Sequence, residues 1–267
     1  MLKLAVIGKD VSKSDSPKMH TFIANSTGRE ISYDAISIPE DKFDEWIDGV
    51  ISRYDGFNVT IPYKLAVMPK LKTICDDAVL FGAVNTVKSA DLVGYNTDGE
   101  GFMLMLKTNG IQVDGRRVLL LGAGGEGRAV AQKLVHGGAY VSVFDRNAEA
   151  AASLKQDCPA ITVLSEVLPA DYDMAINATG VGMHKTEGMS PVGEDVLSRV
   201  GVAVDLIYVP SKSAFLSIAE SLGKPVVNGR AMLFYQAYYA QCIFFGVQPD
   251  EEEAQKLFSA YLNTLYS

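Results

Sequence analysis

The sequence predicts an α/β protein of two domains, an N-terminal α/β domain and a second domain built around a glycine-rich turn, with a cleft between them. Three observations support this prediction. Short apolar, strand-like runs alternate with helix-like segments along the chain, which is typical of a mostly parallel sheet. The glycine-rich turn lies at 122–127, between an apolar run and a helix-like segment. A polar, glycine-bearing stretch at 95–99 opens a long apolar helix and marks the domain boundary.

The elements of the first domain follow from local patterns. Apolar runs predict strands at 2–7, 31–38, 55–61 and 82–88. Helices are predicted to start near Ser16, Glu40 and Tyr63. Ser16-Pro17 favours a helix start, because serine is a common N-cap and proline fits the first helical position.

The second domain is predicted to begin with the apolar helix at 101–108. Strands then follow at 140–144, 161–164, 173–177, 202–206 and near 225–227, with helices between them. Two C-terminal helices, about 229–245 and 250–264, are expected to pack back on the first domain. We therefore predict a first domain of residues 1–100, joined by C-terminal helices at 238–267, and a second domain of residues 101–237.

Composition describes a globular protein with ample core, since 48% of the 267 residues are hydrophobic and 21% are charged. The net charge of −8 argues against a nucleic-acid or anionic-membrane partner. The N-terminal apolar run is too short for a signal peptide, and the apolar stretch 231–247 is too short for a spanning helix. The three cysteines form no C-x-x-C pair and are expected to be free thiols. We expect a cytoplasmic protein, either monomeric or homodimeric.

The glycine-rich turn predicts a dinucleotide site. Gly122, Gly124 and Gly127 match G-x-G-x-x-G between a strand and a helix, where helix N–H groups can hold phosphates. Asp145 closes the next apolar run, at the spacing expected for a contact with a ribose hydroxyl. The alternative is an ordinary strand-to-helix turn with a solvated aspartate beyond it.

Hydride chemistry at such a site needs a proton acceptor next to the substrate, and a lysine beside a carboxylate suits that task. Lys64 follows a strand end and a proline corner, while Asp98 lies in the first turn of a helix that follows another strand. Carboxyl ends of strands are where open α/β sheets build their sites. Taken singly, Lys64 is typical of a surface lysine and Asp98 of a helix-capping residue. The three histidines lie outside these motifs and are expected to be structural.

Several motifs, in order, resemble the shikimate dehydrogenase family and its quinate/shikimate relatives over essentially the whole chain. The matching stretches are Ser12–Pro17, Asn58–Lys64, Gly82–Thr86, Asn96–Gly99, Gly122–Gly127, Asn177–Thr179, Asp205–Tyr208, and Met232-Leu233 with Gln236. The resemblance implies an N-terminal substrate domain and a Rossmann-type dinucleotide-binding domain. It also implies reversible reduction of 3-dehydroshikimate to shikimate, a step of chorismate and aromatic amino-acid biosynthesis, without a metal.

The resemblance also implies roles for single residues. Lys64 and Asp98 match the catalytic pair. The residues that match substrate contacts are Ser14, Ser16, Thr60, Asn85, Tyr208 and Gln236. Ser14 and Ser16 correspond to the pair that binds the substrate carboxylate, although turn and helix-cap roles would also suit them. The residues expected at the cofactor are Gly122, Gly124, Gly125, Gly127, Asp145, Arg146, Asn177, Thr179, Gly229 and Met232, of which Met232 could equally belong to the core.

The sequence departs from the family pattern at the cofactor site. NADP-dependent members usually carry Asn-Arg-Thr at the end of the second nucleotide strand, whereas this chain has Asp145-Arg146-Asn147. A carboxylate there would repel a 2′-phosphate and accept hydrogen bonds from a free ribose hydroxyl. The cofactor is therefore expected to be NADP or NAD, with a weakened preference for NADP. Arg230 replaces the usual leucine before Met232, and the sequence offers no account of that change.

Two alternatives stay open. The first is a dehydrogenase that prefers quinate, which carries an extra hydroxyl beside the carboxylate, so the space near Ser14 and Ser16 would decide. The second is a cofactor-sensing binding protein that kept the fold and lost turnover. Retention of both Lys64 and Asp98 argues against this second alternative.

Overall fold

Two six-stranded sheets form the framework of the protein, which we describe from a computed structural model covering residues 1–266. The chain divides into two compact units. The first comprises Met1–Leu104 and the described residues from Phe234 onward, and the second comprises Met105–Leu233. The predicted α/β class, with a Rossmann-type second unit, is confirmed.

The first unit contains a mixed sheet. Its strands are β1 (Leu2–Gly8), β2 (Ile31–Ser37), β3 (Gly56–Val59), β4 (Thr73–Ile74), β5 (Thr86–Lys88) and β6 (Val93–Tyr95). They lie in the order β2-β1-β3-β5-β6-β4. The strands β1, β2 and β3 run parallel, whereas β5 is antiparallel to both β3 and β6. The antiparallel pairing sets Asn58 on β3 directly opposite Thr86 on β5.

Helices cover the faces of this sheet. They are α1 (Ser16–Ser26), α2 (Phe43–Arg53), α3 (Asp76–Phe81), α4 (Asp98–Thr108), α9 (Arg230–Phe245) and α10 (Glu251–Tyr266). Helices α4 and α9 extend across the division between the units. One face of the sheet packs on α2 through a buried cluster that includes Ile7, Phe43 and Phe57. In another cluster, Leu4 packs with Ala240 and Phe244 of α9. Both packings bury apolar side chains that alternate along the strands, as a sheet covered on each face requires.

The second unit is a parallel, doubly wound sheet. Its strands are β7 (Arg117–Leu121), β8 (Tyr140–Phe144), β9 (Thr162–Val163), β10 (Tyr172–Asn177), β11 (Val200–Asp205) and β12 (Val226–Asn228). Its helices are α5 (Gly125–His136), α6 (Ala148–Asp157), α7 (Glu194–Leu197) and α8 (Ala214–Ser221). The strand order β9-β8-β7-β10-β11-β12 reverses direction between β7 and β10. Open α/β sheets bind ligands at the carboxyl ends of the strands beside such a reversal.

Two predicted details are wrong. No α-helix starts near Tyr63: residues 61–67 form successive turns and Met68–Lys70 a short 3₁₀ segment. Pro69 has no N–H group to continue a helix there. In addition, Ser16 does not cap α1. Asp15 occupies the N-cap position without a side-chain cap bond, and Ser16 is the first helical residue.

Two further features bear on expectations from the sequence, namely the length of the apolar helices and the state of the cysteines. Across residues 1–266, no helix combines the length and apolar composition needed to cross a bilayer. Cys158 and Cys242 are buried thiols, and Cys75 is a half-buried one.

Candidate active site

Lys64 and Asp98 form a close ion pair in the first unit. Lys64 Nζ lies 2.8 Å from Asp98 Oδ2, and only 15% and 11% of the two side chains are exposed. Lys64 belongs to the turns that follow β3, and Asp98 is the first residue of α4. The fold thus joins two residues that are 34 positions apart in the sequence. The positive end of the α4 dipole lies at this carboxylate and attracts its negative charge.

Asn85 fixes the other oxygen of this carboxylate. Its Nδ2 donates to Asp98 Oδ1 at 2.8 Å and to Thr97 Oγ1 at 3.1 Å, and its Oδ1 accepts from the Thr97 N–H at 2.9 Å. Asn85 is buried, and both polar atoms of its side-chain amide are bonded inside the protein. The resemblance marks it as a substrate contact, but the sequence alone does not reveal that it orients Asp98.

Ser14 and Ser16 lie side by side at the start of α1. Ser14 Oγ donates to Ser16 Oγ at 3.1 Å and accepts from the Ser16 N–H at 3.2 Å. Both side chains are half-buried. The Ser16 hydroxyl accepts from Ser14, and Ser16 is the first helical residue of α1, so it is not a helix cap.

The other predicted substrate contacts fall in both units. Thr60 follows β3, where its N–H donates to Ile7 O at 2.9 Å. Gln236 lies half-buried on α9 in the first unit, whereas Tyr208 belongs to the second unit. In the second unit, the Tyr208 carbonyl accepts from Arg230 Nη2 at 3.4 Å.

The glycine-rich turn has the close packing that its motif predicts. Gly122 has φ = +108°, and a Cβ there would lie 2.8 Å from Ala178 O. A Cβ on Gly127 would lie 2.2 Å from Gly122 O, so a larger residue cannot fit without a backbone shift. Open space lies in front of Gly124 and Gly125, at the N-terminus of α5.

A pocket of about 450 Å³ opens in front of this turn. Its lining includes Gly122, Gly124, Asp145, Arg146 and Thr179. This volume is within the range of about 300–1,000 Å³ that is typical of small-molecule sites. The N–H groups at the N-terminus of α5 and the room for a close approach together fit the pyrophosphate of a dinucleotide.

Asp145 is tied directly to the turn. Its Oδ2 accepts from the Ala123 N–H at 2.7 Å, and its Oδ1 accepts from the Asn147 N–H at 2.8 Å. The carboxylate therefore lies at the edge of the pocket in a set orientation. Arg146 beside it is exposed.

Asn177 lies beneath the pocket and does not line it. Its Oδ1 accepts from the Thr179 N–H and hydroxyl, and its Nδ2 donates to Val181 O and to Asp205 Oδ1. Asp205 is fully buried and also accepts from the Ser213 hydroxyl and the Ile207 N–H. Burial raises the pKa of the Asp205 carboxyl, and its hydrogen bonds oppose that rise. Sequence reasoning missed the hydrogen-bonding role of Asp205, although a polar residue at the end of an apolar strand could have indicated it.

The remaining predicted cofactor residues lie at the start of α9. A Cβ on Gly229 would lie 2.0 Å from Leu206 O, so this position requires glycine. Met232 is only 6% exposed. The Arg230 N–H donates to Asn228 Oδ1 at 3.1 Å, and Arg230 Nε is buried with no hydrogen-bond partner among the described residues.

Comparisons with known proteins cover both units. Residues 6–87 match the family model described as the shikimate dehydrogenase substrate binding domain. The chain is 35% identical to a shikimate dehydrogenase (NADP(+)) of Carboxydothermus hydrogenoformans, with 94% of each chain covered. It is similar to the structure of shikimate 5-dehydrogenase from Thermus thermophilus in complex with NADP(H) and shikimate (TM-score 0.88, 35% identity, 97% of this chain and 99% of that one). It is also similar to shikimate 5-dehydrogenase from Listeria monocytogenes in complex with shikimate and NAD (TM-score 0.83, 27% identity, 96% of both chains).

Proposed function

This chain belongs to the shikimate dehydrogenase family, and we propose that it catalyses the reversible nicotinamide-dependent reduction of 3-dehydroshikimate to shikimate. The observation that carries the proposal is the Lys64–Asp98 pair, 2.8 Å apart and mostly buried. We assign substrate binding to residues 1–100 with 238–267, and dinucleotide binding to residues 101–237.

Lys64 is the proton-transfer group in this proposal. When the substrate carbonyl is reduced, the Lys64 ammonium donates a proton to the carbonyl oxygen as it becomes a hydroxyl. In the reverse direction, the Lys64 amine accepts that hydroxyl proton. Asp98 holds the ammonium in place and stabilises its charge, while Asn85 keeps the carboxylate from rotating.

Ser14 and Ser16 anchor the substrate carboxylate. Their hydroxyls are adjacent and partly accessible, and hydroxyl donors form strong hydrogen bonds to a carboxylate. The net charge of −8 makes such local donors necessary, because the overall field repels an anionic substrate. The further substrate contacts in the proposal are Thr60, Asn85, Gln236 and Tyr208.

The second unit holds the cofactor. A bound nicotinamide cofactor supplies the hydride, and the protein supplies binding and orientation. We assign the phosphates to Gly122, Gly124, Gly125 and Gly127, at the N-terminus of α5. Thr179 and Arg146 line the same pocket, and Asn177 acts on it by fixing Thr179. Gly229 and Met232 are assigned to the nicotinamide end.

We propose that the enzyme accepts NAD as well as NADP. A 2′-phosphate placed at the end of β8 would meet the Asp145 carboxylate, which is held in place by the N–H groups of Ala123 and Asn147. Like charges at close range cost free energy, whereas a ribose hydroxyl can donate to the same carboxylate. As part of the same proposal we place the protein in the cytoplasm, as a monomer or homodimer.

The experiment that tests the function is initial-rate oxidation of shikimate and of quinate, each with NAD and with NADP. Shikimate turnover faster than quinate turnover supports the proposal. Faster quinate turnover makes the chain a quinate dehydrogenase. Cofactor binding without turnover in all four combinations makes it a sensing protein. A 100-fold preference for NADP refutes the role given to Asp145.

A further inference from the structure

A continuous chain of side-chain hydrogen bonds runs through the first unit, from Tyr33 on β2 to Asp98 at the start of α4. Its members in order are Tyr33, Asn58, Thr86, Asn85 and Asp98. The donor–acceptor distances along it are 2.8, 3.0, 2.8 and 2.8 Å from Tyr33 onward. The chain therefore links β2, β3 and β5 to the carboxylate of the proposed catalytic pair.

One backbone N–H group sets the direction of the last part of this chain. The Thr97 N–H donates to one side-chain atom of Asn85 at 2.9 Å, so that atom must be the oxygen. The amide nitrogen of Asn85 then faces Asp98. Because the Asn85 oxygen only accepts, the Thr86 hydroxyl must donate to it.

One backbone carbonyl sets the direction of the first part. Asn85 O accepts from one side-chain atom of Asn58 at 3.2 Å, so that atom must be the nitrogen. The oxygen of Asn58 then faces Tyr33, and the Tyr33 phenol must donate to it. Every group in the chain therefore donates towards Asp98, its one anion.

The surroundings of Tyr33 hold this arrangement in place. The Tyr33 ring stacks on the His20 ring with centroids 4.3 Å apart and an angle of 17° between the planes. Burial raises the pKa of Tyr33 well above its usual value, so the phenol stays protonated and can donate. When successive hydrogen bonds all donate in the same direction in a low-dielectric interior, they polarise one another, and each bond becomes stronger.

We propose that Tyr33, Asn58 and Thr86 are positioning residues, which act through Asn85 to hold the Asp98 carboxylate in one orientation relative to Lys64. This inference rests on the proposed function. None of the three needs to touch the substrate. Their effect on the reaction comes from fixing Asp98, and through it the lysine that transfers the proton.

The test compares two substitutions at Thr86, a fully buried residue in the middle of the chain of hydrogen bonds. Thr86→Val keeps the size and removes the hydroxyl, whereas Thr86→Ser keeps the hydroxyl and removes a methyl group. We expect kcat for shikimate oxidation to fall about tenfold in Thr86→Val and to stay within about twofold of wild type in Thr86→Ser, with the KM for the nucleotide unchanged in both. If Thr86 had a purely structural role, kcat would change with the midpoint of thermal unfolding, Tm, and not with the presence of the hydroxyl.

A second pair of variants checks the other end of the chain of hydrogen bonds. Tyr33→Phe keeps the stack on His20 and should lower kcat severalfold. Tyr54→Phe is the matched control, because its phenol bonds to Asp34 outside this chain and its loss should leave kcat unchanged. Equal kcat values in wild type, Thr86→Val and Tyr33→Phe would overturn the positioning role alone. No shikimate turnover in the wild type would instead refute the proposed function, and the positioning role with it.

Discussion

The N–H group of Ala123 donates a 2.7 Å hydrogen bond to the carboxylate of Asp145. This bond joins the glycine-rich turn to the end of β8, although the two residues are 22 positions apart. It places a fixed negative charge at the edge of the pocket proposed for the nucleotide. The chemical groups at this edge should therefore decide which nucleotide is used.

Replacing Asp145 by asparagine removes the charge and keeps an oxygen that can accept from Ala123. We expect the ratio of kcat/KM with NADP to kcat/KM with NAD to rise at least tenfold, because repulsion of the 2′-phosphate is relieved. Steady-state kinetics with both nucleotides measure this ratio. Asp173→Asn is the control, since it removes an exposed carboxylate near the opposite end of the parallel strands. An unchanged ratio in Asp145→Asn would contradict the prediction.

Loss of the Lys64 amine should remove proton transfer. We expect Lys64→Ala to lower kcat roughly 10²- to 10⁴-fold, the usual size of a general acid–base contribution. Lys70→Ala is a matched control from the 3₁₀ segment that follows the turns around Lys64, because Lys70 pairs with Asp44 at the surface. Measured kcat values near that of wild type in both variants would rule out lysine catalysis.

The buried His20 should make stability depend on pH. Burial lowers the pKa of His20 from 6.5 to about 3, so in the folded protein it stays neutral while the unfolded chain takes up a proton below pH 6.5. The free energy of unfolding should therefore fall as pH drops from 6.5 towards 3, by up to about 1.4 kcal/mol per pH unit from this residue.

Urea unfolding between about pH 7 and pH 5 measures this dependence. His20→Phe keeps a ring against Tyr33 and should flatten the curve relative to wild type. His136→Gln, which changes an exposed histidine, should leave the slope unchanged. Parallel curves for wild type and His20→Phe would show that burial of His20 does not couple folding to protons.

Glycine-to-alanine substitutions at two helical positions should change the stability of the protein in opposite directions. At Gly127 the added methyl would lie 2.2 Å from Gly122 O, so Gly127→Ala should destabilise the protein by about 1–3 kcal/mol and weaken nucleotide binding. At Gly49, exposed on α2 with open space around it, the same change should stabilise by about 0.4–1 kcal/mol. Chemical denaturation and nucleotide titration measure the two effects, and a stable Gly127→Ala variant with normal affinity would contradict the close packing.

Local signals in the sequence predicted a substantial part of the fold. The alternation of strand and helix patterns indicated the α/β class, and the glycine spacing indicated the turn at the start of α5. Lys64 and Asp98 were each recognisable from a polar motif next to a strand end. The failures were also local. The apolar pattern after Tyr63 favoured a helix that Pro69 prevents, and Ser16-Pro17 suggested a cap that Ser16 does not make.

By itself, the sequence determined the fold class, the glycine-rich turn and the motif residues, because periodicity and turn chemistry act over only a few neighbouring positions. Only the tertiary structure decided which polar groups meet. Asn58 faces Thr86 because β3 and β5 pair antiparallel in one register, and Asn85 holds Asp98 because a strand and a helix start converge there. Hydrogen bonds between distant residues depend on strand order and register, which no short stretch of sequence specifies.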